Sequence, residues 1–348
     1  MKIPIENIYF LLCYAWDKLR EKEQIKVSLD GTTGLLDLFA RLMIHGTRLL
    51  LKRGIDRNYI TETIEYSGVK GKLELGMTLK SRILTQQRTF CTVDEFSGNI
   101  LINRIIVSTL FLLMAHKGLG SRQKADLRDL IRLWSGIQPL ELSPAIFNRV
   151  SLHRNNRFYG FLLHVCHMIY KYSLPGDTPG DWEFMDFTRD KDAMSSLFEA
   201  FLFNFYRISF PGWKVTRDHI RWQMYALESG DEAFLPIMKT DITIRTGSRK
   251  LIIDAKYYPD ASPTHYGKES LHSTHLYQIF SYLMNQREDD PQTQHATGVL
   301  LYPTTRQELN LHYQYDSHAI HIKTINLNMH WTHIEQRLRE VVVEGLVQ

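Results

Sequence analysis

The chain has 348 residues, and 42 Lys or Arg against 38 Asp or Glu give it a formal net charge of +4. This charge permits contact with nucleic acid but excludes a strongly basic, histone-like tail. No apolar run approaches the roughly 18 residues of a membrane-spanning helix, and the widely spaced Cys13, Cys91 and Cys166 disfavour a disulfide framework, so we expect buried thiols and a cytoplasmic protein without membrane contact.

The first half of the chain alternates between helix and strand patterns. Apolar residues at helical spacing predict helices over residues 5–20, 35–51, 99–115, 123–135 and 156–172. Strand composition marks residues 24–29 and 59–75, with turns at Gly68 and Gly71. Pro, Gly and Asp crowd residues 173–181 and predict a linker there. We therefore place an N-terminal mixed α/β domain at residues 1–172.

The second half, residues 173–348, has the order strand, helix, strands, helix, strands, helix that is typical of an α/β sandwich. The predicted strands are residues 182–187, 240–258, 296–303 and 318–327, and the predicted helices are residues 194–207, 272–286 and 330–345. The expected fold class is therefore α/β, with two domains, each long enough to form its own core.

Charged residues interrupt the otherwise apolar hairpin TDITIRTGSRKLIIDAKYY, residues 240–258. Gly247-Ser248 suits a two-residue turn, and the register that this turn fixes sets Asp241 opposite Asp254. Because side chains alternate between the faces of a strand, both carboxylates share one face with Lys256. Directly opposed like charges destabilise a strand pair, and Mg²⁺ would neutralise them. A surface ion pair between Lys256 and one aspartate on a solvated face is an alternative explanation.

Phosphodiester hydrolysis is the chemistry that a Mg²⁺ site of this kind would perform. The metal would activate a bound water, and Lys256 would orient that water or offset charge on the phosphorane. Asp241 followed by Asp254-Ala255-Lys256 resembles the PD-(D/E)xK nuclease motif, with Thr240 in place of the proline. The resemblance implies that Asp241 and Asp254 bind the metal and that Lys256 is catalytic.

Two predicted helices carry further residues that the same resemblance implies. Glu199 lies among apolar residues of helix 194–207 and would be a third metal ligand, although a polar helix edge also explains it. Gln278 and Tyr282 lie one turn apart on helix 272–286 and match the Q-x-x-x-Y pattern that many of these nucleases carry beside the catalytic lysine.

Five segments, in this order, resemble the McrC subunit of the McrBC modification-dependent restriction system. They are IPIENIYFLLCYAW (3–16), SGVKGKLEL (67–75), NILINRIIVSTL (99–110), TDITI…LIIDAKYY (240–258) and LYQIFSYL (276–283). The resemblance implies an N-terminal domain, residues 1–172, that docks on an McrB-type AAA+ GTPase hexamer and stimulates it. It also implies a PD-(D/E)xK endonuclease domain, residues 173–348, that cuts double-stranded methylated DNA, with two McrC chains meeting between complexes.

GTP would be bound by the partner, because this chain has no G-x-x-x-x-G-K-[ST] phosphate-binding loop. Basic and polar residues interrupt the strand pattern at residues 22–33 and 56–75, and these segments are candidates for a finger that inserts into the GTPase ring. The alternative function is a non-catalytic activator and scaffold of the ring, with a vestigial nuclease domain.

Overall fold

The computed structural model describes residues 3–17, 34–81, 87–152, 157–178, 180–228, 230–247, 249–257, 264–265, 268–269, 271–286, 295–304 and 308–347. The chain divides into a continuous unit, Glu23–Met185, and a discontinuous unit, Met1–Lys22 with Asp186–Gln348. The sequence-based boundary lies earlier, after residue 172, and groups all of residues 1–172 together. Two contacts explain the difference. The first helix, α1 (Ile5–Ala15), packs on a helix of the discontinuous unit. Ser173–Pro175, where a linker was predicted, pairs with Trp182–Phe184 within the continuous unit.

The continuous unit combines packed helices with a small sheet. Its helices are α2 (Leu35–Arg53), α3 (Leu75–Lys80), α4 (Leu101–Ala115), α5 (Ser121–Leu133), α6 (Pro144–Asn148) and α7 (Arg157–Lys171). Its strands are β1 (Asn58–Ser67), β2 (Lys72–Leu73), β3 (Arg88–Ser97), β4 (Ser173–Pro175) and β5 (Trp182–Phe184). The helices predicted between residues 35 and 172 are confirmed with small shifts at their ends, whereas the predicted strand 24–29 lies outside the described residues.

Antiparallel pairing joins β3 to both β1 and β2. The turns predicted at Gly68 and Gly71 are confirmed, because both residues have positive φ, 102° and 74°. A Cβ on Gly71 would also lie 2.5 Å from the carbonyl oxygen of Thr92, so glycine is needed there. Most side chains of β1 are exposed, while Cys91 on β3 is buried, as are Cys13 and Cys166. The prediction of buried thiols is therefore confirmed.

The discontinuous unit contains α1 and the elements that follow residue 186. Its further helices are α8 (Lys191–Ser209), α9 (Ser273–Met284) and α10 (Trp331–Val347), with 3₁₀ turns at Phe187–Arg189 and Asp231–Phe234. Its strands are β6 (Lys214–Thr216), β7 (His219–Ile220), β8 (Met238–Lys239), β9 (Ile242–Thr246), β10 (Arg249–Ala255), β11 (Thr264–His265), β12 (Lys268–Glu269), β13 (Thr297–Thr304), β14 (Asn310–Tyr315) and β15 (His318–Asn326). The predicted helices are all confirmed. No strand was predicted at β11, β12 and β14 of this unit, nor at β3 and β4 of the continuous unit.

A mixed sheet forms the centre of this unit, and its described strands have the order β14-β15-β13-β10-β9-β6. β10, β13 and β15 run parallel to one another, and the other pairings are antiparallel. α9 covers the face that carries Ile252, where Ile279 and Leu283 join the buried cluster. α10 covers the opposite face, since a Cβ on Gly345 would lie 2.8 Å from Leu251 Cδ1. The expected α/β class is confirmed in this coarse form.

Within the described ranges, the helices all lack the combination of length and hydropathy that a membrane span requires.

Candidate active site

The β9–β10 hairpin has the register that its turn residues predict. Arg249 pairs with Thr246, and Ile253 pairs with Ile242. Gly247 has a φ of 54°, which suits glycine at this turn. Alternation along the two strands predicts one apolar face, and its members are buried: Ile242, Ile244, Leu251, Ile253 and Ala255. Burial of this apolar face fixes the register of the hairpin, and the register places Asp241, Asp254 and Lys256 together on the opposite face.

The two aspartates lie at the open end of this hairpin. Asp241 directly precedes β9, and its Oδ2 accepts a hydrogen bond of 2.8 Å from the backbone N–H of Ala255. Asp254, in β10, is 0% exposed, and its Oδ2 lies 2.8 Å from Lys256 Nζ. An ion pair between Lys256 and an aspartate is thus present, but it is buried, unlike the solvated pair of the alternative explanation.

Neither carboxylate oxygen of Asp254 accepts a well-formed hydrogen bond within the described residues. Burial raises the pKa of Asp254 to about 7; the Lys256 ammonium lowers this pKa, and the Asp241 carboxylate raises it. Burial also raises the pKa of Asp241, against the lowering effect of the Ala255 N–H and of two nearby cations. Two carboxylates in this environment compete for ionisation, and an additional positive charge would let both ionise.

Lys256 is held by a chain of hydrogen bonds that runs along α9. Its Nζ donates to Gln278 Oε1 over 2.9 Å, and Gln278 Nε2 donates to the Tyr282 hydroxyl oxygen over 2.7 Å. The Tyr282 hydroxyl in turn donates to the carbonyl oxygen of Lys239 over 2.8 Å. Burial raises the pKa of Tyr282 to about 12, so this hydroxyl keeps its proton. The structure therefore brings the predicted Gln278 and Tyr282 together with Lys256.

Glu199 lies on α8, and its contact is with an arginine that the sequence did not indicate. Arg217 Nη2 lies 2.9 Å from Glu199 Oε1, and Arg217 Nε donates to the Asp241 carbonyl oxygen over 3.3 Å. Burial raises the pKa of Glu199, as does the Asp241 carboxylate, while Arg217 lowers it. A lone arginine between two short strands has no sequence pattern that would have singled it out.

The predicted divalent cation requires oxygen ligands that lie close together. Among the described residues, no group of three or more His, Cys, Asp or Glu side chains is gathered closely enough to hold a metal ion, so Glu199 does not lie with the two aspartates as a ligand trio. The two aspartates alone still fit a hydrated Mg²⁺, which uses one or two carboxylates and keeps several waters. The observation that fits such a ligand is the buried Asp254 Oδ1, which has no hydrogen-bond donor within the described ranges.

Comparisons with known proteins agree with the segments quoted above. The family model for "McrBC 5-methylcytosine restriction system component" matches residues 6–303. The chain is 34% identical over 344 residues to the "Type IV methyl-directed restriction enzyme EcoKMcrBC" of Escherichia coli (strain K12), covering 99% of this chain and 98% of the relative.

A solved structure also has a similar fold. It is the refined half-complex from a tetradecameric assembly of Thermococcus gammatolerans McrB AAA+ hexamers with bound McrC, with a TM-score of 0.59 and 17% identity, covering 98% of this chain and 76% of the other. At this identity the likeness concerns the fold alone. The family match and the E. coli relative are sufficient for assignment: the chain belongs to the family of McrBC 5-methylcytosine restriction system components, which confirms its resemblance to McrC.

Proposed function

We propose that this chain is the Mg²⁺-dependent endonuclease subunit of a GTP-dependent restriction complex, and that it hydrolyses phosphodiester bonds of double-stranded methylated DNA. The observation that carries the proposal is the buried Asp254 carboxylate, whose Oδ2 lies beside the Lys256 ammonium and whose Oδ1 has no hydrogen-bond donor in the described residues. Asp241 and Lys256 lie beside it. Replacing a buried charge with an apolar residue often stabilises a protein, so a buried Asp254 is explained better by a function than by folding.

Asp241 and Asp254 would hold Mg²⁺, which when bound supplies Lewis acidity and lowers the pKa of a bound water. Lys256 is positioned by Gln278, and its ammonium can donate a hydrogen bond to the attacking water or to an oxygen of the phosphorane. Tyr282 fixes Gln278, so the ammonium is oriented before substrate arrives. The α8, β9–β10 and α9 arrangement would accordingly be a PD-(D/E)xK nuclease core.

The partners follow from the relatives. The Thermococcus structure contains McrB AAA+ hexamers with bound McrC, and the E. coli relative is a methyl-directed restriction enzyme. We propose that this chain binds an McrB-type GTPase hexamer, which binds the GTP, and that two copies of the chain meet when two such complexes join. The continuous unit would be the adaptor that docks and stimulates GTP hydrolysis, and the largely exposed β1 is its candidate contact surface.

The test separates DNA cleavage from GTPase stimulation. Asp254→Asn is assayed with the GTPase partner beside Asp231→Asn, a control at an exposed aspartate of the same unit. We expect Asp254→Asn to abolish cleavage while GTPase stimulation persists, and Asp231→Asn to keep both activities. Cleavage that survives in Asp254→Asn would overturn the nuclease site and leave the activator and scaffold alternative. Loss of both activities would indicate that Asp254 serves folding.

A further inference from the structure

Arg217 makes a contact that the predicted motif does not include. Its Nη2 lies 2.9 Å from Glu199 Oε1, and its Nε donates to the carbonyl oxygen of Asp241 over 3.3 Å. The guanidinium carbon also lies 4.7 Å from the ring centroid of Phe203. The Arg217 side chain therefore joins Glu199 of α8 to the backbone of Asp241 at the hairpin.

The backbone that carries Arg217 is fixed by its neighbour Asp218. The Asp218 carboxylate accepts a hydrogen bond of 3.2 Å from Arg245 Nη1. Asp218 and Thr240 also exchange two bonds: the Thr240 N–H donates to the Asp218 carbonyl oxygen over 3.0 Å, and the Asp218 N–H donates to Thr240 Oγ1 over 2.8 Å. Because Thr240 directly precedes Asp241, these bonds hold Arg217 beside the hairpin.

Four of the charged side chains at this site form two ion pairs. Lys256 contacts Asp254, while Arg217 contacts Glu199. Glu199 and Arg217 each have side chains that are 35% exposed, so their contact can open without unfolding the core. In the structure the Arg217 guanidinium contacts the Glu199 carboxylate, which would otherwise be available to a cation as a third ligand. This contact is in keeping with the absence of a three-residue metal cluster from the described part of the chain.

We propose that Arg217 is a positioning residue that holds Glu199 away from the metal site and competes with the divalent cation for its carboxylate. The inference rests on the proposed function, because it assumes a cation at Asp241 and Asp254. Metal binding then exchanges one ionic contact of Glu199 for another, and the affinity of the site is lower than three available carboxylates would give.

The consequence is measurable without any DNA. Replacing Arg217 by methionine removes the competing charge but keeps a side chain of similar length. Since the pair is partly exposed, we expect Arg217→Met to tighten binding of Mn²⁺, a substitute for Mg²⁺, by about three- to tenfold. Arg217 also donates to the Asp241 carbonyl oxygen, so its charge repels the cation directly and part of the gain is independent of Glu199. The part that acts through Glu199 must disappear when Glu199 is already neutral.

The experiment is a double-mutant cycle on the full chain. Free Mn²⁺ is titrated by electron paramagnetic resonance with the parent chain, Arg217→Met, Glu199→Gln and the double variant. We expect tighter binding in Arg217→Met and a clearly smaller gain on adding that change to Glu199→Gln. Arg221→Met, at an exposed arginine of the same unit, is the matched control and should leave the affinity unchanged. Circular dichroism checks that each variant is folded.

Each outcome has a separate meaning. Unchanged or weaker Mn²⁺ binding in folded Arg217→Met overturns the Arg217 inference, as does an equal gain in the Glu199→Gln background. If Arg217→Met does not fold, Arg217→Lys, which keeps the charge but not the two-pronged contact, must show a smaller gain in the same direction or the inference fails. Failure of the proposed function is distinguished by Asp254→Asn, since Mn²⁺ binding that is independent of Asp254 would remove the metal site itself.

Discussion

Asp254 is fully buried beside a second carboxylate, and both features disfavour its ionised form. Its pKa of about 7 lies above its ordinary value of 3.8. The folded chain therefore holds a proton that the unfolded chain releases between these values, and the free energy of unfolding of the metal-free chain falls as pH rises through this window. Function and stability oppose each other at this residue.

We expect Asp254→Asn to stabilise the metal-free chain at pH 8, by about 1–3 kcal/mol, because an amide does not bring a charge into the core. The same change should weaken the decline of stability between pH 4 and 7, although Asp241 retains part of it. Urea unfolding in a chelator at pH 5 and pH 8 measures both effects. Asp231→Asn is the control for a general change of charge, and a less stable Asp254→Asn chain at pH 8 would contradict the prediction.

A variant of Lys256 distinguishes metal binding from phosphodiester hydrolysis. Lys256→Gln removes the ammonium that lies 2.8 Å from Asp254 Oδ2 but keeps a polar side chain near Gln278. We expect cleavage by the complex with its GTPase partner to fall by about 10²–10³-fold, the usual effect of losing one charged group that stabilises a transition state. Mn²⁺ binding should persist, because the aspartates remain. Retained cleavage in this variant would show that Lys256 has no catalytic role.

Helix α9 is the element that links the core of the discontinuous unit to the lysine. Its apolar residues Ile279 and Leu283 pack in the buried cluster over the sheet, while Gln278 and Tyr282 extend the hydrogen-bond chain to Lys256. Tyr282 belongs to the same buried cluster, so packing of this helical face fixes the position from which Gln278 and Tyr282 reach the hairpin. The position of the ammonium consequently depends on the helix as a rigid body.

Tyr282→Phe tests this positioning role with the loss of a single oxygen. The change removes the acceptor of Gln278 and the donor to the Lys239 carbonyl oxygen. We expect the free energy of unfolding to fall by about 1 kcal/mol and cleavage to fall several-fold, by roughly the factor that one hydrogen bond is worth. Tyr277→Phe is the matched control, because Tyr277 lies on the same helix and is 69% exposed. Equal behaviour of the two variants would exclude the role proposed for Tyr282.

Local sequence patterns predicted most of these elements but not their long-range contacts. The turn at Gly247 and the alternation along the strands were sufficient for the register of the hairpin. β14 was not predicted because its polar and aromatic residues are mostly exposed at the edge of the sheet. The full burial of Asp254 and the pairing of Glu199 with Arg217 depend on residues distant in sequence, which no local pattern encodes.

The discontinuous unit includes α1, which is distant in sequence from the other elements of this unit. Tyr14 of this helix lies 5.3 Å from Phe205 of α8 between ring centroids, and Phe10 stacks on Trp331 of α10 at 4.5 Å. Asn7 Nδ2 donates to the carbonyl oxygen of Leu327 over 2.8 Å. The N-terminal helix is thus a structural part of the discontinuous unit.

Two fragments distinguish whether α1 belongs to the discontinuous unit or whether the domain boundary lies after residue 172. A fragment of residues 173–348 lacks α1 and exposes the apolar surface that Ile8, Leu11 and Leu12 bury, a loss of several kcal/mol against a total stability of about 5–15 kcal/mol. We expect it to aggregate or to melt without cooperativity. A second fragment joins residues 1–22 to residues 186–348 through a linker of about 20 Gly and Ser residues, which is long and flexible enough to leave the docking of α1 unrestrained.

This joined fragment should melt cooperatively and bind Mn²⁺ in an Asp254-dependent manner, as measured by circular dichroism and electron paramagnetic resonance. Leu11→Ser in the joined fragment is the control, because it places a hydroxyl in the buried face of α1 and should lower the melting temperature toward the behaviour of residues 173–348. A stable, metal-binding fragment 173–348 would show instead that α1 is dispensable to the sheet and that residues 1–172 act as one module.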